Sequence, residues 1–217
     1  IVPRATNFDA VINALGYNSA AEIRGLLTAS PTMTVEQMSN MLPRVIDAAQ
    51  LERLLGQIND PALLERLLAG PERGVMISRG TEIEQLIAGH GRDMVVRNAQ
   101  DIIDLAEARR TAAPGDVDLL SEEIAGGHSI ERHGASIPDA ELQASVLGTS
   151  PFMPQVGTAT RWVSTAEMVA STNEAIAANR AAIDAFYANP ANANAPYPAV
   201  VFDTGRDIGE GFKNTAP

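Results

Sequence analysis

The chain has 217 residues, 45% hydrophobic and 20% charged, enough apolar material for a core in one domain or two small ones. It has no cysteine, which excludes a disulfide scaffold, a thiolate nucleophile and Cys-ligated zinc. Its formal net charge is −11, and no apolar run approaches the roughly 18–20 residues that cross a bilayer.

Residues 7–110 read as short amphipathic helices. Asn7 and Asn18 are expected N-caps, with Gly16 ending the first helix. Thr34-Val35-Glu36-Gln37 has the form of a capping box, in which Gln37 returns a hydrogen bond to the cap residue. Leu51, Leu54, Leu55 and Ile58 form a stripe at helical spacing. Asp60-Pro61 restarts the pattern with proline at the first helical position, and Leu63, Leu64, Leu67 and Leu68 continue it. The segments 50–55 and 63–68 are near copies, but two copies fall short of the three or so a solenoid needs.

Met76-Ile77 predicts a short strand or a buried connector. A helix follows from Thr81 to about Ala88, closed by Gly89-His90-Gly91. His90, alone between glycines, reads as a helix-end residue. Asp93 to Arg110 predicts one long helix, with Val95, Val96, Ala99, Ile102, Ile103 and Ala106 on its apolar face and Arg109-Arg110 at its negative end. Thr111-Ala112-Ala113-Pro114-Gly115 is the strongest linker signal. It divides the chain into a helical module, 1–114, and a second domain, 115–217.

The second domain is predicted to open with Asp116 capping a short helix from Val117 to Ala125. That helix delivers Gly126-Gly127-His128-Ser129-Ile130-Glu131-Arg132-His133-Gly134. Histidine exchanges protons near neutrality, and two imidazoles beside a guanidinium can run acid–base chemistry on a phosphate without a metal. Five residues apart, His128 and His133 diverge by about 140° on a regular helix, so they share a site only where the backbone bends. The alternative is a helix-end histidine bonded to main chain, with glycines as punctuation.

Pro138-Asp139 starts another helix through Leu142 and Val146, and Gly148–Gly157 is a loop with Phe152 and Met153 on the core. Thr158–Val163 predicts a strand, with Trp162 either a core anchor or a platform for a base. Ser164-Thr165-Ala166-Glu167 is a second capping box, opening a helix to about Ala188 with Val169, Thr172, Ile176, Ile183 and Tyr187 buried. An Asn/Ala/Pro loop from Asn189 to Pro198 leads to a short buried strand at Val200-Val201-Phe202. Asp203–Gly211 is expected to turn, with a mobile tail from Lys213.

GGHSIERHG followed by PDAELQASV resembles the opening of the bacterial ribonuclease A-like toxin domain found at the C-termini of contact-dependent inhibition proteins and other polymorphic toxins. The likeness continues through Ala178-Asn179-Arg180 on a Ser/Thr-led helix, the aliphatic segment Ala199–Asp203 and the turn Gly205-Arg206-Asp207-Ile208-Gly209, covering roughly residues 117–212. It differs from that family at Ser145, where an arginine is usual. A further closing strand with hydroxyl side chains is also expected, and the sequence stops at Pro217 before one.

The resemblance implies an α+β fold: the helical N-terminal module, then a small ribonuclease A-like domain whose helices lead into a curved antiparallel sheet. It implies a secreted antibacterial effector that cleaves RNA in the target-cell cytoplasm without a cofactor or metal, held in check by an immunity protein and delivered by a carrier or secretion system. His133 is the expected proton-transfer residue, with His128 second and Ser145 at the place of the cationic helper. Arg132, Arg180 and Arg206 are expected to contact RNA phosphates. The alternative is a non-enzymatic module that binds a carrier or immunity protein.

Charge weighs against a nuclease. Residues 1–114 hold 14 acidic and 11 basic side chains, whereas residues 115–217 hold 13 and 5. A polyanion-binding surface normally needs a basic face, so Arg132, Arg161, Arg180, Arg206 and Lys213 must be concentrated locally. Rival motifs are weak: there is no Walker loop, no His-Glu-x-x-His and no Gly-x-Ser-x-Gly, and 205–211 lacks the spacing of a dinucleotide fingerprint.

Overall fold

A computed structural model describes residues 20–73, 77–194 and 200–215. The expected caps Asn7 and Asn18, with Gly16, lie outside the described residues, as do Met76 and Ala199.

The N-terminal helices start and stop where local chemistry dictates. After α1 (Ala20–Ala29), α2 (Val35–Met41) opens on the predicted box: Thr34 Oγ1 accepts from Gln37 N and Gln37 Oε1 accepts from Thr34 N, both at 3.0 Å. A 3₁₀ turn (Leu42–Arg44) leads to α3 (Ala48–Ile58), capped by Asp47. Asn59, with φ 49°, ends α3, and Asp60 caps α4 (Pro61–Leu68) by accepting from Ala62 N and Leu63 N. The stripes on α3 and α4 are buried, Leu51, Leu54, Leu64, Leu67 and Leu68 completely, except that Leu63 is half-buried.

Helix α5 (Arg79–His90) begins under a Ser78 cap, earlier than Thr81, and stops at Gly91, whose φ of 85° suits glycine. The single helix expected from Asp93 to Arg110 is two: α6 (Arg92–Arg97) and α7 (Ala99–Ala108), broken at Asn98. Asn98 is fully buried with φ −101° and ψ 23°, outside the helical region. The break lets both pieces bury their own apolar faces, Met94 and Val95 on one and Ile102, Leu105 and Ala106 on the other.

Beneath α5 and α7 runs a buried ionic chain. Arg79 pairs with Glu82 and donates to the Leu67 carbonyl; Glu82 also takes Arg109, which reaches Asp118 at 3.0 Å. Burial pushes the Arg79 guanidinium below its ordinary value.

Past the turn at 111–115, α8 (Leu119–Ile124) is capped by Asp118, not Asp116; Asp116 instead accepts from Ala113 N within the turn. Then come α9 (Ser129–His133), α10 (Asp139–Leu147), β1 (Thr158–Trp162), the 24-residue α11 (Thr165–Ala188), a 3₁₀ turn (Pro190–Asn192) and β2 (Gly209–Lys213). The larger hydrophobic cluster runs from Leu26 to Met168, drawing on both sides of that turn. A smaller one, Ile137, Leu142, Val146, Met153 and Ala159, lies where α10 meets the strands.

The fold is therefore α+β, mostly helical, and the described residues hold one two-stranded antiparallel sheet in which Thr158 faces Lys213 and Trp162 faces Gly209. The strand expected at Val200-Val201-Phe202 is absent. Those residues are exposed, Val201 at 94%, and β2 instead takes Gly209–Gly211 from the segment expected to turn and Lys213 from the expected tail. Its glycines explain the difference: a Cβ on Gly209 would meet the Arg161 carbonyl at 2.8 Å, and one on Gly211 would run into the Ala159 carbonyl.

Helix α11 buries only Thr165, Met168 and Ser171. Val169, Thr172, Ile176 and Ile183 are half-buried, and Tyr187 is exposed at 67%, contrary to the expected stripe. Ser164 accepts from Glu167 N, but the Glu167 carboxylate turns to Ser171 and Arg206. In the 148–157 loop Met153 is buried, while Phe152 is half-exposed beneath the Arg97 guanidinium, 4.8 Å from its ring centre.

Candidate functional site

The glycine–histidine stretch is shaped by how α8 ends. Gly126 takes φ 104°, and Gly126 N and Gly127 N bond back to the carbonyls of Glu123 and Glu122, closing the helix. His128 follows in a non-helical conformation, φ −143° and ψ 24°, just ahead of α9, and His133 is the last residue of that helix. The bend that a five-residue spacing requires is therefore present. The two rings lie 6.4 Å apart, centre to centre, tilted by 48°.

His133 is held against β1. Its Nδ1 lies 3.0 Å from the Thr160 carbonyl and 3.3 Å from the Thr160 hydroxyl. A carbonyl only accepts, so Nδ1 carries a proton, and of the two neutral tautomers the contact selects the one with its lone pair on Nε2. Beside it opens a cleft of about 590 Å³ between α9, β1 and the segment 206–209, lined by Ser129, His133, Thr160, Arg161, Trp162, Arg206, Asp207, Ile208 and Gly209. Trp162 packs against the larger cluster, as a core anchor does, and also forms part of the cleft wall.

The cleft's two arginines are already engaged. Arg161 Nη2 pairs with Glu210 at 2.6 Å and with Asp139 at 2.7 Å, and Nη1 donates to the Ile137 carbonyl. Arg206 grips Glu174 with both terminal nitrogens, at 2.9 and 3.0 Å, and gives Nε to Glu167 at 2.8 Å. The Glu174 hydrogen bonds, then that of Glu167, hold the Arg206 guanidinium well above its ordinary value, and the Glu210 hydrogen bond raises that of Arg161.

Of the residues expected in a site, the structure brings His133 and Arg206 to the cleft and His128 close to His133. It does not bring the rest. Ser145 is completely buried and donates to the Pro154 carbonyl at 2.7 Å, a helix-to-loop tie where no phosphate reaches it. Arg132 and Arg180 are exposed on α9 and α11 and are not part of the cleft lining. His90 sits at its helix end, with Nε2 on the Glu123 carbonyl at 2.8 Å. Thr160 went unforeseen because its main chain does the work, and sequence carries no mark of that.

Among the described residues no group of three or more His, Asp or Glu side chains is gathered as a metal site, and no helix is long and apolar enough to cross a membrane. Comparison of the chain with known protein families, with curated proteins and with solved structures finds no match in any of the three.

Proposed function

We propose that the segment 115–217 is a ribonuclease A-like toxin domain that cleaves RNA, delivered by a carrier into the target-cell cytoplasm and silenced there by an immunity protein. The observation that carries this reading is His133, which lines the cleft and is anchored through Nδ1 on the Thr160 carbonyl, so that Nε2 is the nitrogen free to act as a base. In the reaction, His133 Nε2 takes the proton of a ribose 2′-OH, and the 2′-oxygen attacks the adjacent phosphorus. The bond from phosphorus to the 5′-oxygen breaks, and that oxygen leaves with a proton from protonated His128. The products are a 2′,3′-cyclic phosphate and a 5′-hydroxyl end.

In-line displacement puts attacking and leaving oxygens on opposite sides of phosphorus, so base and acid must stand several ångströms apart. Ring centres 6.4 Å apart meet that need. Trp162 offers a face on which a base can stack. For charge on the phosphorane the cleft holds Arg161 and Arg206, and an entering phosphate must compete with Glu210, Asp139, Glu167 and Glu174 for them.

That competition favours a second reading, a non-enzymatic module that binds a protein partner, because carboxylates outnumber the cleft's cations. Incubation of total RNA with the full chain in EDTA separates the two. Cleavage that survives the chelator and is lost in His133→Ala supports the enzyme; intact RNA with the wild-type chain sinks it.

A further inference from the structure

Helix α9 is five residues long and buries only Ile130, too little to fix its own orientation. Two buried carboxylates that take no part in the chemistry above hold its ends. At the start, Glu123 of α8, completely buried, accepts the main-chain N–H groups of Ile130 and Glu131, one on each oxygen and both at 3.0 Å. Past the end, Asp101 of α7, 1% exposed, accepts from the main-chain N–H of Ser136 at 3.0 Å and from the Ser136 hydroxyl. Its other oxygen takes the Thr165 hydroxyl at 2.7 Å. Gly134, next to His133, is pressed between Asp101 and the Ile130 carbonyl, where an added Cβ would lie 2.6 and 2.7 Å from their oxygens.

Burying a carboxylate costs several kcal/mol unless its charge is met. Among the described residues neither Glu123 nor Asp101 forms an ion pair, so directional N–H and O–H donors alone offset that cost. An apolar contact would tether α9 without fixing its rotation. Two hydrogen-bonded carboxylates, one at each end, fix both its tilt and its rotation, and with them the direction of the His133 side chain. His90, at the end of α5, braces this from below through the Glu123 carbonyl.

We infer that Glu123 and Asp101 are positioning residues that hold the His133 ring against Thr160, which makes the helices before residue 110 part of the framework of the histidine site. The consequence for RNA cleavage rests on the nuclease reading; the positioning itself does not.

The test uses the full chain with Glu123→Gln and Asp101→Asn, each of which keeps one acceptor oxygen, followed by ¹⁵N NMR of the histidine rings. In the wild type His133 should show the Nδ1–H tautomer, and in each variant its nitrogen signals should move towards an average of the two tautomers. Amide exchange should quicken roughly tenfold or more, at Ile130 and Glu131 in the first variant and at Ser136 in the second, with α3 still protected. Variants that fold with unchanged His133 signals and unchanged exchange overturn the inference. If either fails to fold, Ser136→Ala, which removes a single hydroxyl donor to Asp101, decides by the same signals. RNA left intact by the wild-type chain would sink the nuclease reading, whereas the ring signals and exchange rates would still decide the positioning role.

Discussion

The His133 imidazole donates from Nδ1 to the main-chain carbonyl of Thr160, 27 positions further along the chain, across 3.0 Å. A carbonyl anchor fixes the tautomer without adding charge, and no substitution of the Thr160 side chain removes it. If His133 is the general base proposed above, His133→Ala should lower RNA cleavage by about 10²–10⁴-fold, the usual range for a general acid or base. Thr160→Val, which removes only the hydroxyl, should cost less than about tenfold. Single-turnover cleavage of a labelled RNA reads both, and a Thr160→Val loss as large as that of His133→Ala would mean the hydroxyl, not the carbonyl, is the anchor.

Arg206 stands at the cleft wall inside a fence of Glu167 and Glu174. These pairs are partly exposed, and surface pairs are worth little to stability. Removing them should leave the melting temperature nearly unchanged while freeing a cation. Glu174→Gln, and more so Glu167→Gln with Glu174→Gln, should tighten binding of single-stranded RNA. They should also steepen the salt dependence by about 0.7 for each additional phosphate neutralised. Filter binding at several salt concentrations measures this; an unchanged slope means Arg206 does not meet phosphate.

Sequence made the helical half largely legible because its signals are local. Thr34 and Gln37 spell a capping box, and Leu51, Leu54, Leu55 and Ile58 share a face at α-helical spacing. The break at Asn98 was hidden, since the apolar pattern runs through it and only tertiary packing decides that two short helices bury more than one long helix. The sheet was misplaced for a related reason. Val200-Val201-Phe202 has strand propensity but pairs with no strand among the described residues, whereas Gly209–Lys213 has little propensity and pairs because bare glycines let its backbone approach β1. Within the site, His128 and His133 were visible as residue types. Their closeness was not, because it depends on where α8 ends and on Glu123 catching amides seven and eight residues on.

The buried chain Arg79–Glu82–Arg109 should dominate the response of the fold to mutation. Glu82→Gln leaves Arg79 buried beside a neutral amide, and stripping one partner from a buried pair typically costs about 3–5 kcal/mol. For a chain of this size that is a fall in melting temperature of roughly 6–20 °C. Arg79→Met with Glu82→Leu should cost less than the sum of the single changes, since no charge is stranded at either position and Arg109 retains Asp118. Calorimetry of the single and double variants checks this, and additive losses would show that the pair is not coupled.

Acid should unpick the same region through Asp118. Burial pushes its carboxyl up, but the Ser121 hydroxyl, and then Arg109, outweigh this and hold it below the usual carboxylate value. The folded chain thus binds the Asp118 proton more weakly than the unfolded chain does. The stability it contributes is complete above the unfolded value, near 3.9, and is lost as pH falls through the lower folded value. Asp118→Asn should lower stability at neutral pH, and its loss relative to the wild type should shrink as pH falls from about 5 to 2. Urea midpoints measured across that range test the sign. A gap between wild type and variant that widens in acid would mean Asp118 is not held ionised by Ser121 and Arg109.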